Sequence, residues 1–436
     1  MLPTDSALVE LIVFHDRDFG SLLHDGDAGW RAPRLLAFVI PCARTAAPIA
    51  MIDLGETATL TRLVGDAMAS HGVAPVRDIN AGSTPSSMDA TALRERVWEP
   101  IVQALGDATQ IFVSPDGDLV RVPFGILPDR DRGDGFLLDR YTFVYLSAGR
   151  DVLRLGQRGA RSAGPPLVIG DPDFDAWGSP AARLGGDRFP RLKATAEEAR
   201  FVGRTLGVTP ALGADALERA FKAARLPRVI HLATHAFFTP LGSARLPVLP
   251  TPTDDGLEPR YLVRPNIQNP LLRSGIAFAG ANSWLAGGEL PEEAEDGLLY
   301  AEDVTGLDLT ETELVVLSAC KTALGEIDPS EGVFGLQRVF ALAGARTMVM
   351  SLWSVPDQET HQLMVAFYRG LAAGLGCAGA LRAAQLELRA SGRGVAYWGA
   401  FICQGDPGPI SFAAMVHPDR QELAWPASSA DLDPRR

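Results

Sequence analysis

The chain runs to 436 residues, 47% hydrophobic and 21% charged, with a formal net charge of −13. That length supports two or three domains with sizeable cores, and the acidic balance argues against direct contact with nucleic acid or an anionic membrane. The four cysteines, Cys42, Cys320, Cys377 and Cys403, lie far apart, which argues against a disulfide framework or a structural zinc site and fits a reducing cytoplasm. Met1–Asp5 lacks the basic start of a signal peptide, and no apolar run approaches the roughly 18 residues of a membrane helix. The chain therefore reads as a soluble cytoplasmic protein.

The apolar runs 36–40 and 49–52, split by a Pro-containing turn, predict a β-hairpin. Helical patterns follow over 56–71 and 90–105, then a strand at 110–113, a Pro115-Asp116-Gly117 turn and a strand at 141–146. Residues 151–165, rich in Arg, Gly and Ser, read as a linker between an N-terminal half (1–150) and a second α/β half (166–406). The second half opens with a strand at 166–169. Thr195-Ala196-Glu197-Glu198 has the form of a capping box, and Gly207 supplies a helix stop. A further helix, capped by Asp215, precedes the strand Val229–Ala233. This strand-helix alternation predicts a parallel sheet with right-handed crossovers.

Between 238 and 311 the pattern dissolves into Pro, Gly, Asn and acidic residues, with a short strand near 275–278; a loop region this long is often functional. Order resumes with the strand 315–319, a helix over 332–343, a strand at 347–352, helices over 358–372 and 379–390, and an ordered stretch at 397–402. Residues 407–436 read as a polar tail.

Two strand ends carry chemistry. The run Val315-Val316-Leu317-Ser318-Ala319 delivers Cys320 to a Gly-containing loop, and Val229–Ala233 leads to His235. A thiol needs a base or a lowered pKa to attack a carbonyl at neutral pH, and an imidazole supplies one. A cysteine at a strand end is also commonplace as a small buried hydrophobe. His231, inside the apolar run, reads as a hydrogen-bonded core residue, and no third ligand is spaced to make His231 and His235 a metal site. Gly374-Leu375-Gly376-Cys377-Ala378-Gly379 matches G-x-G-x-x-G, but a helical pattern precedes it instead of a strand, so it reads as an inter-helix turn. No P-loop and no G-x-S-x-G elbow occurs, and nothing calls for a cofactor or metal. Asp357 and Glu359, after the strand 347–352, have two readings: acidic residues at a helix start, or carboxylates of a pocket that selects a basic side chain.

The stretches around His235, the Leu317–Gly325 run, Leu336–Ala345, Ser351-Leu352-Trp353 and Tyr397–Phe401 together resemble the CHAT family. So do Pro115–Leu119, Val122-Pro123-Phe124 and Gly170-Asp171-Pro172. The resemblance covers about 30–406. It implies a caspase-like, separase-related α/β fold, with a parallel-dominated sheet flanked by helices and preceded by a pseudo-protease half that has no dyad. It further implies a cysteine endopeptidase with a His235–Cys320 dyad acting on a protein substrate. Its oxyanion hole would be built from the backbone N–H groups of Ala236 and Cys320; Ala236 stands where glycine is frequent. Substrate would be bound near Ser351, Trp353, Asp357 and Glu359. A regulatory or repeat-containing protein partner is implied, since no tetratricopeptide repeat lies on this chain. The alternatives are a catalytically idle scaffold on the same fold and an acyltransferase using the same two residues.

Overall fold

The hairpin that the apolar runs predict is extended by a strand on its other side. β1 (Ser6–Phe14) pairs antiparallel with β2 (Arg34–Pro41), and β2 with β3 (Ala50–Glu56). The computed structural model describes residues 2–17, 30–42, 47–73, 88–130, 133–157, 161–178, 189–238, 269–318 and 332–411. Helix α1 (Thr57–Ser70) buries Leu60, Leu63, Val64, Ala67 and Met68, one stripe at helical spacing. The predicted helix over 90–105 is two, α2 (Met88–Val97) and α3 (Glu99–Leu105). Pro100 lacks the N–H that would bond back to the Arg96 carbonyl, so the helix cannot continue unbroken. β4 (Gln110–Ser114) runs parallel to β1, and β7 (Thr142–Tyr145) parallel to β4, with the two-residue pair β5 (Pro128–Asp129) and β6 (Gly135–Phe136) between them. At the predicted turn Gly117 takes φ +58°, and the Asp116 carboxylate accepts from the N–H groups of Gly117 and Val13.

A second unit follows, formed by the described residues between 158 and 374 together with Pro409–Ser411. Its elements are β8 (Leu167–Pro172), α4 (Ala194–Leu206), β9 (Ala211–Gly213), α5 (Glu218–Lys222) and β10 (Val229–Ala233). Next come β11 (Ala236–Phe238), β12 (Ser274–Ala277), α6 (Ala281–Leu285), β13 (Leu298–Tyr300) and α7 (Ala301–Thr305). β14 (Leu314–Leu317), α8 (Gly332–Ala343), β15 (Thr347–Ser351) and α9 (Asp357–Ala372) complete it. Five strands form a wholly parallel sheet in the order β15-β14-β10-β8-β9. β10, β14 and β15 are buried along their length, which is why they read as continuous apolar runs. A three-stranded antiparallel sheet, β11-β12-β13, follows directly from the end of β10. The fold is thus α/β with mostly parallel pairing.

Two helix starts differ from the sequence reading. α4 begins at Ala194 with Lys193 at its N-cap, and Thr195 does not cap it. The Thr195 hydroxyl instead donates to Leu192 O (2.6 Å) and accepts from the backbone N–H of Asp171 (2.8 Å), while Glu198 turns into the protein and is fully buried. Tertiary partners outcompete the local box. α5 has Leu217, not Asp215, at its N-cap. The stop at Gly207 is as expected, with φ +69° and its N–H bonded to Arg204 O.

The last described segment belongs with the first unit, which comprises residues up to Gln157 and Leu375–Gly408. Here α10 (Cys377–Ala390) and α11 (Val395–Trp398) precede β16 (Phe401–Gly405), which pairs parallel with β7 and ends the order β3-β2-β1-β4-β7-β16. The stretch at 397–402 is therefore part helix and part strand. The G-x-G-x-x-G segment is the turn between α9 and α10, with Gly374 at φ +91° and Gly376 as the N-cap of α10. Among the described residues no helix is long and apolar enough to cross a membrane.

Candidate functional site

The parallel register lines up the C-terminal ends of four strands. Ala233 of β10 lies beside Gly170 of β8; Leu232 lies beside Leu317 of β14, which lies beside Met350 of β15. Ser318 N–H donates to Leu232 O at 2.9 Å, so the chain is still bonded to β10 one residue beyond β14. Ligand sites of open α/β sheets form along such an edge.

His235 sits two residues beyond β10. Thr234 Oγ1 donates to Ala277 O (2.6 Å) and Ala277 N–H to His235 O (2.9 Å), which ties the turn to β12. The imidazole is 1% exposed. It lies between Phe174, at 5.2 Å between ring centroids, and Phe189, stacked at 5.7 Å and 30°. Both phenylalanines belong to an apolar cluster with Ala277, Ala281 and Leu298, against which Phe237, Trp284 and Tyr300 pack. His235 Nε2 is 2.7 Å from Pro190 O. A carbonyl can only accept, so Nε2 carries the proton, and in the neutral ring the lone pair falls on Nδ1.

Ala236 follows. The bonded pair His235–Ala277 puts the next pair, Ala236–Ile276, in the non-hydrogen-bonded class of the antiparallel ladder. The Ala236 N–H therefore points away from β12, and β11 is the outer strand of its sheet. An alanine in place of glycine leaves this backbone donor intact.

Cys320 lies outside the described residues, two positions along the chain from Ser318. Ser351 ends β15 and is buried, and Trp353, two residues on, is half-buried. Asp357 opens α9 directly after Pro356, and Glu359 is buried in the same first turn. Both carboxylates thus sit where the helix dipole favours negative charge. His231 is wholly buried, with Nδ1 3.1 Å from the Tyr368 hydroxyl and Nε2 3.0 Å from Glu198 Oε1, and it is a core residue as the apolar run predicts. No group of three or more His, Cys, Asp or Glu side chains among the described residues could hold a metal ion.

Several groups around His235 carry no local sequence signal. Phe174, Phe189, Pro190 and Arg191 lie outside any helix or strand, and Asn282 falls in the stretch read as loop. Asp171 alone among these groups belongs to a stretch, Gly170-Asp171-Pro172, that carries the family resemblance.

A model of the CHAT domain matches residues 88–406, most of the chain. The chain belongs to the CHAT domain family. Among curated proteins it is similar to Tetratricopeptide repeat protein 28 of Homo sapiens, 27% identical over 310 residues, and of Mus musculus, 26% identical over 308. Each match covers 66% of this chain, which spans only 11% and 12% of the length of those relatives. Among solved structures, the separase–securin complex of Saccharomyces cerevisiae gives a TM-score of 0.39 at 11% identity, over 75% of this chain and 18% of that one. The Arg-specific cysteine proteinase gingipain R gives 0.38 at 10% identity, over 81% of this chain and 75% of that one.

Proposed function

We propose that this CHAT domain is a caspase-like cysteine endopeptidase that cleaves a protein substrate with His235 as base and Cys320 as nucleophile. The observation that carries the reading is the contact between His235 Nε2 and Pro190 O. It fixes the ring so that Nδ1 is the basic nitrogen, at the C-terminal edge of a parallel sheet whose neighbouring strand leads to the cysteine. Only Ala319 stands between Ser318, which is bonded to β10, and Cys320 in the sequence.

In the proposed reaction Nδ1 takes the thiol proton and the thiolate forms a C–S bond to the scissile carbonyl carbon. The N–H groups of Ala236 and Cys320 receive the oxyanion. Collapse breaks the C–N bond, and Nδ1–H gives its proton to the leaving amine. Water, deprotonated by Nδ1, then attacks the thioester, frees the new carboxyl terminus and restores the thiol. Asp357 and Glu359 are the carboxylates proposed to select a basic side chain, and Ser351 and Trp353 to line that pocket. A protein partner is proposed to activate the site.

Cleavage of a peptide library by the wild-type chain and by Cys320→Ala and His235→Ala tests the reading. Loss of at least about 1,000-fold in both variants supports it, and cleavage that persists in Cys320→Ala overturns it. A second reading, an idle scaffold for protein interaction, is favoured by the burial of His235 at 1% exposure. It predicts no cleavage by the wild type in the presence of any partner.

A further inference from the structure

We infer that Asn282 and the Asp171–Arg191 pair are positioning residues for His235, holding the Pro190 carbonyl on Nε2 from two independent anchors. The inference rests on the dyad reading above for its catalytic consequence, though not for its geometry.

Residues 189–192 belong to no helix or strand, so nothing in their own backbone pairing fixes the Pro190 carbonyl. At one end the Asn282 side chain grips both polar groups of Phe189: the Phe189 N–H donates to Oδ1 at 2.9 Å, and Nδ2 donates to Phe189 O at 3.0 Å. Nδ2 also donates to Asp175 Oδ1 at 3.1 Å. Asn282 is 4% exposed and lies in the first turn of α6, placed by Gly280 at φ +85°. A side-chain amide that donates and accepts with one residue in this way behaves like a strand partner.

At the other end Arg191 forms a two-point contact with Asp171, Nε to Oδ1 at 2.8 Å and Nη2 to Oδ2 at 3.0 Å. Such a fork fixes orientation as well as distance. Asp171 is itself held at the end of β8, its N–H bonded to the Thr195 hydroxyl, which in turn donates to Leu192 O. The Asp171 backbone stands at φ +43°, a conformation kept only where its surroundings impose it. The carbonyl between these anchors is the one that meets the imidazole, and the Phe189 ring stacks on the same imidazole.

The experiment reads the imidazole proton directly. With 15N-histidine labelling, and the His235 signals assigned through His235→Gln, solvent exchange of the Nε2 proton is compared in the wild type, Arg191→Ala, Arg191→Lys, Asn282→Ala and Asn282→Asp. Peptidase kcat and KM are measured on the same samples. We expect exchange at least tenfold faster in Arg191→Ala and Asn282→Ala, with smaller effects in Arg191→Lys and in Asn282→Asp, which keeps the acceptor for Phe189 N–H. In an active chain kcat falls about 10- to 100-fold while KM changes little. Arg191 is half-exposed, so its variants test the idea even if Asn282→Ala does not fold. Unchanged exchange in folded Arg191→Ala overturns the inference. Faster exchange in a chain whose wild type cleaves nothing supports the positioning role and sinks the peptidase reading alone.

Discussion

The Nε2 atom of His231 and the carboxyl group of Glu198 meet at 3.0 Å with neither side chain exposed to solvent, one on β10 and the other on α4. The contact is close but poorly aligned as a hydrogen bond, so proximity defines it more than direction does. Tyr368 on α9 completes the group from the other side of the ring. Removing one partner strands the other without water. Glu198→Ala is expected to cost about 3–5 kcal/mol, and Glu198→Met with His231→Leu to recover at least half of that. Urea denaturation with an unchanged m-value checks it; a cost below about 1 kcal/mol for Glu198→Ala would show that the pair holds little.

Gly170 marks where β8 and α4 touch. A Cβ there would come within 2.6 Å of the Ala199 Cβ and 2.8 Å of the Thr195 carbonyl oxygen. One obstacle is backbone and the other a Cβ that the helix holds rigidly, so helix and strand would have to separate. Gly170→Ala is expected to destabilise by about 1–3 kcal/mol. It should also weaken the bond from Asp171 N–H to Thr195, the next residue's anchor. Thermal unfolding measures the first effect, and a variant as stable as the wild type contradicts it.

A third prediction concerns pH. Burial pushes the Glu218 carboxyl from its ordinary 4.5 up to about 8, with Asp296 adding to the shift and Lys222, 2.5 Å away, opposing it. Burial raises Asp296 as well. The folded state keeps a proton that the unfolded chain has released, so this stability is complete below about 4.5 and is lost as pH rises towards about 8. Between pH 5 and 8 the wild type should lose stability in urea titrations, and Glu218→Gln should remove about half of that slope or more. Equal slopes for the two proteins would contradict the assignment.

The first unit has its own test in Trp98, fully buried with ring centroids 5.4 Å from both Tyr141 and Phe143 and 5.9 Å from Phe124. Trp98→Ala is expected to cost about 3–5 kcal/mol. Calorimetry should show that loss, and a shift worth under about 1 kcal/mol would mean that the ring cluster relaxes around the gap.

Much of the architecture was legible because central parallel strands are unbroken apolar runs and the helices beside them carry a 3.6-residue stripe. β10, β14, β15, α8 and α9 were found this way, and with them His235 as a strand-end residue. β1 escapes this pattern, because Glu10 interrupts its run. That carboxylate finds its partners at Ser114 Oγ and Gly149 N–H, 104 and 139 residues away, which no local pattern reports. The Thr195–Glu198 motif was legible but misleading: its hydroxyl serves β8 and its last carboxyl serves His231. Around the candidate site the same limit applies. Pro190 acts through a carbonyl that every residue has, and Asn282 is one polar residue in an irregular stretch. Their meaning comes from contacts with His235 and Phe189 that exist only once the chain has folded.

Residues 375–408 give the first unit a strand and two helices that the ribosome makes last among its described parts. The Arg382 guanidinium donates to the carbonyls of Leu138 and Asp139, Arg389 grips the Asp139 carboxylate, and β16 covers the flank of β7. At roughly 5–20 residues per second, the nascent chain spends some tens of seconds with β7 lacking that neighbour. Through that interval β7 is an unpaired edge able to capture a stray strand. Synthesis speed, and any chaperone that shields this edge, therefore bear on the yield of native protein independently of the final stability.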